Sequence, residues 1–260
     1  VLERIGRGGM GVVYHARDRG GRDVALKVIS GRMNDAQRAR FRREISRDYD
    51  GTVENISDTV SHLEEQAGRA NRIGISMPGV VNRSGEPIMV ANLPWLRDKP
   101  FRPDLERLFE RPVHIGNDAN CFALSEATDG SAAGAKLVFG VILGTGVGGA
   151  IVVNGQIVTG ANAIAGEWGH NPLPWRTPED GAETMCGCGQ TGCIETWLNG
   201  AALSRDYQAL SGSEAKAKDI SRLAEENDAA ATQAISQYAE RLARALASAI
   251  NFFDPDIIVL

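Results

Sequence analysis

The segment Glu167-Trp168-Gly169-His170, followed by Cys186-Gly187-Cys188-Gly189 and then Gly192-Cys193-Ile194-Glu195, decides how this chain is interpreted. Zn²⁺ is well satisfied by three cysteines and one histidine, because thiolate and neutral imidazole are its preferred ligands. The single glycine between the first two thiols can adopt φ > 0, which would turn both sulfurs towards one ion. Thiols buried as small apolar groups are the alternative. We predict a metal site formed by His170, Cys186, Cys188 and Cys193.

A longer motif surrounds these residues. The run Gly166-Glu-Trp-Gly-His-Asn-Pro-Leu-Pro-Trp175, followed by Cys-x-Cys-Gly-x-x-Gly-Cys-x-Glu, resembles the signature of the ROK family, which groups repressors, open reading frames and sugar kinases. Within that family the sequence is most similar to bacterial fructokinases. The resemblance covers about residues 47–260 and implies an α/β fold, the two-lobed actin-like (ribonuclease H-like) ATPase fold. The expected domains are 46–117, the remainder of the first lobe, and 118–260, the second lobe with a zinc loop at 170–193.

The first 45 residues resemble a different family. Residues 5–14 fit the glycine-rich loop of protein kinases, G-x-G-x-x-G-x-V, and Val24-Ala25-Leu26-Lys27 fits the strand that carries their phosphate-binding lysine. Glu44 stands where a kinase places the ion-pair partner of that lysine. Residues 1–45 are therefore expected to be an appended fragment similar to a bacterial serine/threonine kinase N-lobe, with Gly6, Gly8, Gly11, Val13, Lys27 and Glu44 as its ATP site. The sequence has no His-Arg-Asp, Asp-Phe-Gly or Ala-Pro-Glu motif for the second lobe of such a kinase.

The ROK portion is expected to be short at both ends. The resemblance implies an initial Asp-x-Gly-Gly-Thr phosphate motif, and a glycine-rich adenosine loop with a closing helix beyond Leu260; neither is present. Removing one such clamp can cost about 10²–10³ in rate. The sequence therefore predicts a chimeric chain, truncated at both ends of the ROK portion, whose activity is doubtful.

Composition and charge exclude several classes of protein. A chain of 260 residues with 43% hydrophobic and 23% charged residues can bury one large core or two smaller ones. No signal peptide is expected, and no apolar run reaches the roughly 18 residues that cross a bilayer. The net charge of −5 argues against a nucleic-acid partner. Four cysteines clustered three to one suit a metal in a reducing compartment, which predicts a cytoplasmic location.

Local patterns predict alternating strands and helices. Strands are expected within 1–30, at 73–77, 113–116 and 137–143, and in a hairpin of 150–153 and 156–158 around Asn154-Gly155. Helices are expected at 34–45, 51–67, 117–133 and 229–253. Strand-helix-strand order favours a parallel sheet.

Asp118 is the predicted catalytic base. It follows a predicted strand at its carboxyl end, where open α/β sheets present ligand-binding groups. Asn117-Asp118 also matches the Asn-Asp pair that carries the base in ROK sugar kinases. A carboxylate that accepts the proton of a sugar hydroxyl can contribute about 10²–10⁴-fold to the rate. On local sequence alone, a helix N-cap explains this residue equally well.

Two further groups of residues are assigned to ligands. Gly144, Thr145 and Gly146 follow a strand and are predicted to hold ATP phosphates through backbone N–H groups and the hydroxyl, with a tight hairpin turn as the alternative. Sugar recognition is assigned to Asn92, Asn117, Glu167, His170 and Glu195, because carboxylates and amides pair with adjacent hydroxyls. Solvent exposure is the alternative for the two glutamates. Cys121, away from the metal set, is predicted to lie in the core.

The resemblance and these residues together predict an enzyme. Its expected reaction is the ATP-dependent phosphorylation of a hexose, above all fructose to fructose 6-phosphate, with Mg²⁺ accompanying ATP. Zinc is expected to be structural, because four protein ligands leave no position for an activated water. The resemblance also implies a homodimer. A protein-kinase fragment that binds ATP through Lys27 and a non-enzymatic, sugar-sensing ROK regulator are the alternatives.

Overall fold

The computed structural model describes residues 3–8, 11–17, 23–28, 48–82, 87–89 and 93–260. The chain divides into two compact units, residues 1–117 and residues 118–260. In the described ranges, every helix is too short or too polar to cross a lipid bilayer.

Among residues 3–117, where the structure describes them, the strands form three small sheets. They are β1 (Glu3–Gly8), β2 (Gly11–Arg17), β3 (Asp23–Val28), β4 (Ile73–Met77), β5 (Val80–Val81), β6 (Pro87–Met89) and β7 (Val113–Asn117). The first three strands pair antiparallel in sequence order, which confirms the strands predicted within residues 1–30. β4 and β7 pair in parallel, from Ile73 opposite Val113 to Met77 opposite Asn117. The helix predicted at 34–45 lies outside the described residues.

Two helices pack in the described part of the first unit, α1 (Tyr49–Ala67) and α2 (Phe101–Phe109). α1 begins after Asp48, whose carboxylate accepts a hydrogen bond of 2.8 Å from the amide of Gly51, and it matches the helix predicted at 51–67. α2 was not predicted, although its buried residues Phe101, Leu105 and Phe109 recur every fourth position. Together with β4 and β7 they enclose an apolar core.

The second unit is built on a four-stranded sheet. Its strands are β8 (Leu137–Leu143), β9 (Val147–Val153), β10 (Gln156–Ile157) and β11 (Ile257–Val259), in the spatial order β10-β9-β8-β11. β11 runs parallel to β8, whereas β8, β9 and β10 are antiparallel, so the expected parallel sheet is only partly correct. The hairpin turn at Asn154-Gly155 is confirmed, with φ of 50° and 72°. β9 begins three residues earlier than the predicted Ala150, directly after Gly144-Thr145-Gly146.

Small residues fix helix α3 (Asp118–Thr128) against this sheet. Its buried face is Ala119, Ala123 and Ala127, and a Cβ on Gly140 of β8 would lie only 2.5 Å from that of Ala123. Ala119 meets Gly148 of β9, so α3 runs antiparallel to β8. The N-terminus of α3, with Asp118, therefore lies at the end of the sheet where β8 turns into β9.

The prediction for Cys121 was wrong. The residue is exposed, because it lies two positions beyond Ala119 and so faces away from the buried stripe of α3. α3 also ends at Thr128, about five residues before the predicted end near residue 133, and the chain then turns through residues 129–134.

Four helices complete the second unit: α4 (Glu195–Leu198), α5 (Gly200–Ser211), α6 (Ala217–Glu225) and α7 (Ala229–Phe253). α7 has the predicted bounds and begins after Asp228, whose carboxylate accepts from the amide of Ala231 at 2.8 Å. It packs on the sheet through Ala245 and Ala249, in a core with Phe139, Trp168 and Trp197. α5 and α6 pack on the first half of α7 around Ile220 and Tyr207.

Candidate functional site

The segment 158–194 between β10 and α4 folds back on itself without regular strands. Isolated β-bridges join Pro172 to Cys193 and Met185 to Thr191. Gly189 and Gly192 take the positive φ values that reverse the chain, 89° and 72°, whereas Gly187 does not, contrary to expectation. This path brings the three nearby thiols back to His170.

The four residues predicted to bind metal lie together. One ligand atom from each of His170, Cys186, Cys188 and Cys193 falls within 4.8 Å of the other three. Cys188 Sγ is 3.7 Å from Cys193 Sγ, and Cys186 Sγ is 3.5 Å from His170 Nδ1. Around a tetrahedral zinc ion, bonds of about 2.3 Å to sulfur and about 2.0–2.1 Å to nitrogen place two sulfurs about 3.8 Å apart, and a sulfur about 3.5 Å from a nitrogen. The donor types and their spacing therefore fit zinc.

The thiols of this cluster differ in their acidity. Burial, reinforced by the neighbouring thiols Cys188 and Cys186, raises the pKa of Cys193 to about 12. Burial likewise raises the pKa of Cys186, whereas the backbone amide of Gln190 lowers that of the exposed Cys188. Thiolates this close repel one another, and a divalent cation between them removes the repulsion.

A group of carboxylates adjoins the metal cluster. Burial raises the pKa of Glu167, and the negative charges of Asp118 and Glu195 raise it further, while His170 opposes them. His170 Nε2 lies 3.9 Å from Glu167 Oε2, so one ring nitrogen faces the thiols and the other faces this carboxylate. The predicted base and two of the predicted sugar acceptors thus share one electrostatic environment in the second unit.

Asp118 itself is exposed at the first turn of α3. Its Oδ1 accepts a hydrogen bond of 2.9 Å from the amide of Ala119, so the carboxylate also serves the helix terminus. Asp118 can therefore be both a helix cap and a catalytic base, because a carboxylate has a second oxygen that can accept a proton.

Glycines allow the Glu167-Trp168-Gly169-His170 segment to lie directly on β9. A Cβ on Gly149 would lie 2.6 Å from the Trp168 ring, and one on Gly169 would lie 2.1 Å from the carbonyl oxygen of Val147. The Trp168 Nε1–H donates to the carbonyl of Gly148 at 2.9 Å, and the ring meets Phe139 edge to face. Trp168 therefore fixes the distance between the sheet and the residues on either side of it.

The turn between β8 and β9 is formed by Gly144, Thr145 and Gly146, and we name it the phosphate turn. The Gly144 amide donates within the turn to the carbonyl of Gly146 at 2.9 Å, and the Gly144 carbonyl accepts from the amide of Gly200 at 2.8 Å. Gly144 thus shapes the turn, and the amides of Thr145 and Gly146 and the exposed Thr145 hydroxyl are the other donors. The turn borders a cavity of about 490 Å³ that Lys216 and Tyr238 also line.

Glu195 lies between the metal cluster and the phosphate turn. Its Oε2 accepts from the amide of Val147 at 3.0 Å, and its Oε1 is 3.5 Å from Cys186 Sγ. As the first residue of α4, it directly follows the segment that supplies the metal ligands.

A buried ion network that sequence reasoning missed ties this segment to α7. Both Asp180 and Arg241 are buried, with side-chain exposures of 5% and 3%, and they pair at 3.1 Å. Arg244 adds a 2.6 Å bond to the same carboxylate, and Asp206 accepts from Arg241. Hydrogen bonds from Arg244, the Thr177 amide and Arg241, although opposed by burial, hold the pKa of Asp180 well below its ordinary range. The sequence shows only that these residues are charged, because Arg241 lies 61 residues from Asp180 and 35 from Asp206.

The remaining predicted site residues lie in the first unit or outside the described ranges. Asn117 Nδ2 donates to the Gly79 carbonyl at 3.0 Å. Gly6, Gly8, Gly11, Val13 and Lys27 lie on the first three strands, with Gly8 opposite Gly11 and Val13 opposite Lys27. Asn92 and Glu44 lie outside the described residues.

Residues 14–260 match the protein family described as the ROK family. The N-acetyl-D-glucosamine kinase of Pectobacterium carotovorum subsp. carotovorum (strain PC1) is 35% identical over 252 residues, which cover 95% of this chain and 83% of that protein. The match begins at residue 14, inside the segment expected to come from a protein kinase, so it does not support a boundary at residues 45–47. The relative is also an N-acetylglucosamine kinase, not a fructokinase as expected.

Solved structures of similar fold include two ROK enzymes. The ROK hexokinase from Thermus thermophilus superposes with a TM-score of 0.72 at 29% identity, covering 97% of this chain and 78% of that one. A ROK family glucokinase from Streptomyces griseus, in complex with glucose and AMPPNP, gives 0.69 at 27% identity, with 97% and 80% coverage. The second is a sugar kinase with both a sugar and an ATP analogue bound.

Proposed function

Because the chain belongs to the ROK family, and the relative and the two structures named above are sugar kinases, we propose that its substrate is N-acetylglucosamine and its product the phosphate monoester of that sugar. The sugar is taken from the curated relative, which aligns with 95% of this chain. Fructose, the sugar expected from the sequence, is the alternative substrate against which N-acetylglucosamine is to be tested.

One observation carries the proposal: a carboxylate cluster and a glycine turn lie at the same end of the second-unit sheet. Asp118 is at the N-terminus of α3, which reaches that end through its alanine face, and Gly146 closes the turn there. Glu195 touches the turn and shares the electrostatic environment of Asp118 and Glu167. A phosphoryl transfer to a hydroxyl needs a proton acceptor and phosphate donors close together, and the proximity of Asp118 and the phosphate turn supports assigning these roles to them.

The chemical roles follow from these positions. Asp118 takes the proton from the attacking sugar hydroxyl as that oxygen bonds to the γ-phosphorus and the bond to the ADP oxygen breaks. The Thr145 and Gly146 amides and the Thr145 hydroxyl donate hydrogen bonds to phosphate oxygens, where negative charge develops. Mg²⁺ accompanies the nucleotide and neutralises its phosphates. The neighbouring cavity of about 490 Å³ is within the size range of small-molecule sites and would receive the nucleoside end.

The metal is assigned a structural role. His170, Cys186, Cys188 and Cys193 would hold a zinc ion as a closed four-ligand site, which stabilises the fold of the segment that presents Glu167 and Glu195. These two glutamates are the proposed acceptors for sugar hydroxyls, because carboxylates can accept from two adjacent donors.

Purified chain supplied with Mg·ATP and a panel of sugars tests this assignment. We expect N-acetylglucosamine to be phosphorylated with a kcat/KM at least about tenfold above that for fructose or glucose, a difference of about 1.4 kcal/mol. Mass spectrometry and NMR of the product identify the phosphorylated hydroxyl. A preference for fructose, or ADP formation that is independent of sugar, would overturn the proposed substrate.

A further inference from the structure

Glu195 was assigned to the sugar from sequence, yet its contacts point also to the nucleotide end of the site. Its Oε2 accepts the Val147 amide at 3.0 Å, and Val147 is the residue directly after the phosphate turn. A bond between a carboxylate and an N–H group is charge-assisted and roughly twice as strong as a neutral one. The start of β9 is therefore held by a side chain from α4.

Gly146 shows how closely this carboxylate lies against the turn. A Cβ at position 146 would be 2.5 Å from Glu195 Oε2, well inside van der Waals contact. On the other side, the Gly200 amide holds the Gly144 carbonyl at 2.8 Å. The turn is thus bound at both ends by residues of the segment Glu195–Gly200, one at the start of α4 and one at the start of α5.

We propose that Glu195 is a positioning residue for the phosphate turn, which orients the Thr145 and Gly146 donors towards ATP before any sugar binds. This inference rests on the proposed function, since it assigns the turn to phosphate. Because Cys186 Sγ lies 3.5 Å from the other oxygen, the same carboxylate connects the metal segment to the nucleotide end of the site. A residue that touched only sugar would have no influence on nucleotide binding in the absence of sugar.

Titration of the metal-loaded full chain with Mg·AMPPNP, without sugar, separates these roles. Glu195→Ala is expected to raise the Kd about tenfold, within the range for loss of a hydrogen bond to a charged group. Glu195→Gln keeps an oxygen that can accept the Val147 amide and is expected to stay within about threefold of the wild type. An unchanged Kd in Glu195→Ala would overturn the inference. Metal content and circular dichroism of each variant establish that the fold is retained.

A double-mutant cycle with Gly146 tests the contact itself. Gly146→Ala should raise the Kd about tenfold in the wild-type background, because the new Cβ displaces the carboxylate from Val147. In the Glu195→Ala background the same substitution has no carboxylate to displace and should change the Kd less than about twofold. Equal losses in both backgrounds would count against a positioning role.

Hydrogen exchange of the ligand-free protein gives a readout that does not depend on kinase activity. The Val147 amide should exchange about tenfold faster in Glu195→Ala than in the wild type, and at the wild-type rate in Glu195→Gln. If the wild-type chain binds no Mg·AMPPNP, the proposed function fails, but this exchange rate still decides whether Glu195 holds the turn. An unchanged exchange rate would sink the inference.

Discussion

Two parts of the second unit become ordered by different physical means. In the sheet, residues 138–141 of β8 are buried consecutively, and α3 packs on them through an alanine face. The segment 158–194 instead contains two 3₁₀ turns and two isolated β-bridges, and it carries the four candidate metal ligands and the buried Asp180. From this difference we infer that the stability of the sheet depends on close packing of side chains, whereas that of segment 158–194 depends on ion pairs and metal coordination. The most informative changes are those that disturb one region and spare the other.

Removal of the metal is expected to have the largest effect. Zinc supplies about 10–16 kcal/mol of apparent binding energy in zinc-finger peptides. No residue between Leu173 and Ile194 belongs to the apolar core around Phe139 and Trp197, so little apolar packing could replace the ion there. A chelator should therefore make the exposed Arg176 rapidly cleavable by trypsin, while far-UV circular dichroism of the helices changes little. Elemental analysis should find one zinc ion per chain.

A pair of cysteine variants controls this experiment. Cys188→Ser should lose the ion, whereas Cys121→Ser, which alters an exposed thiol on α3, should keep it. Equal trypsin resistance of the metal-free and metal-loaded chains would contradict a role for coordination in ordering the segment.

The next largest effect is expected at Asp118, the first residue of α3, which packs on the sheet. Asp118→Asn preserves the shape and the acceptor for the Ala119 amide but removes the proton acceptor. We expect kcat to fall about 10²–10⁴-fold with Mg·AMPPNP affinity within about threefold of the wild type. Asp129→Asn, an exposed change just beyond α3, is the matched control and should leave kcat unaltered. A loss of less than tenfold in Asp118→Asn would remove this residue from the role of base.

Substitution of Asp180 tests how much the buried ion pairs of segment 158–194 contribute to stability. Asp180→Asn leaves buried Arg241 without one of its carboxylate partners and should lower the free energy of unfolding by about 3–5 kcal/mol. Glu226→Gln breaks the exposed Arg222–Glu226 pair and should cost about 0.5 kcal/mol or less in a urea titration. Similar costs for the two variants would show that the buried network contributes no more than a surface pair.

The same residue makes stability depend on pH. The pKa of Asp180 is depressed in the folded chain, so its stabilising contribution is fully present above the unfolded value of about 4 and is lost as pH falls towards the folded pKa. Thermal melts of the wild type and Asp180→Asn between about pH 7 and pH 3 should therefore differ by a constant amount above about pH 4 and by a smaller amount below it. A constant difference across this range would contradict the assigned linkage.

The smallest effect is expected where α3 packs closely on β8, at Gly140 and Ala123. Gly140→Ala adds a methyl group 2.5 Å from the Ala123 side chain and should cost about 1–3 kcal/mol in a urea titration. Ala123→Gly removes the opposing methyl at a helix-propensity cost of about 1 kcal/mol. The double variant should be more stable than the sum of the two single losses predicts, because the clash disappears. Simple additivity would mean that the close approach of α3 and β8 is relaxed by other movements.

The sequence predicted those elements whose pattern is local and long. The stripe of α7 recurs over 25 residues, and Asn154-Gly155 supplies the positive φ values that a two-residue hairpin needs. α5 and α6 escaped prediction because each offers only one to three buried residues, too few to establish a period. The antiparallel pairing of β8 and β9 was obscured because Gly148 and Gly149, which are poor strand formers, occupy the start of β9.

The same distinction applies to the candidate site. The metal ligands fall within 24 residues of one another, in types that chemistry restricts, so their gathering could be predicted. The Asp180–Arg241 pair spans 61 residues and uses common surface residue types, so only the folded chain reveals it. The boundary at residues 45–47 stays a prediction that the ROK match, which begins at residue 14, does not support. It depended on a short glycine pattern, and such a pattern fits several unrelated phosphate-binding loops.

The glycines of residues 144–149 restrict substitution for two different reasons. Gly144 and Gly146 serve the turn, but Gly149 is required because the Trp168 ring occupies the space of its side chain. An evolving population would reject alanine at 149, although Gly149 lies in β9, beyond the turn. Glycine at every one of these positions in related proteins would therefore reflect steric constraint as well as catalysis. Substitutions at Gly149 combined with a smaller residue at Trp168 would separate the two causes.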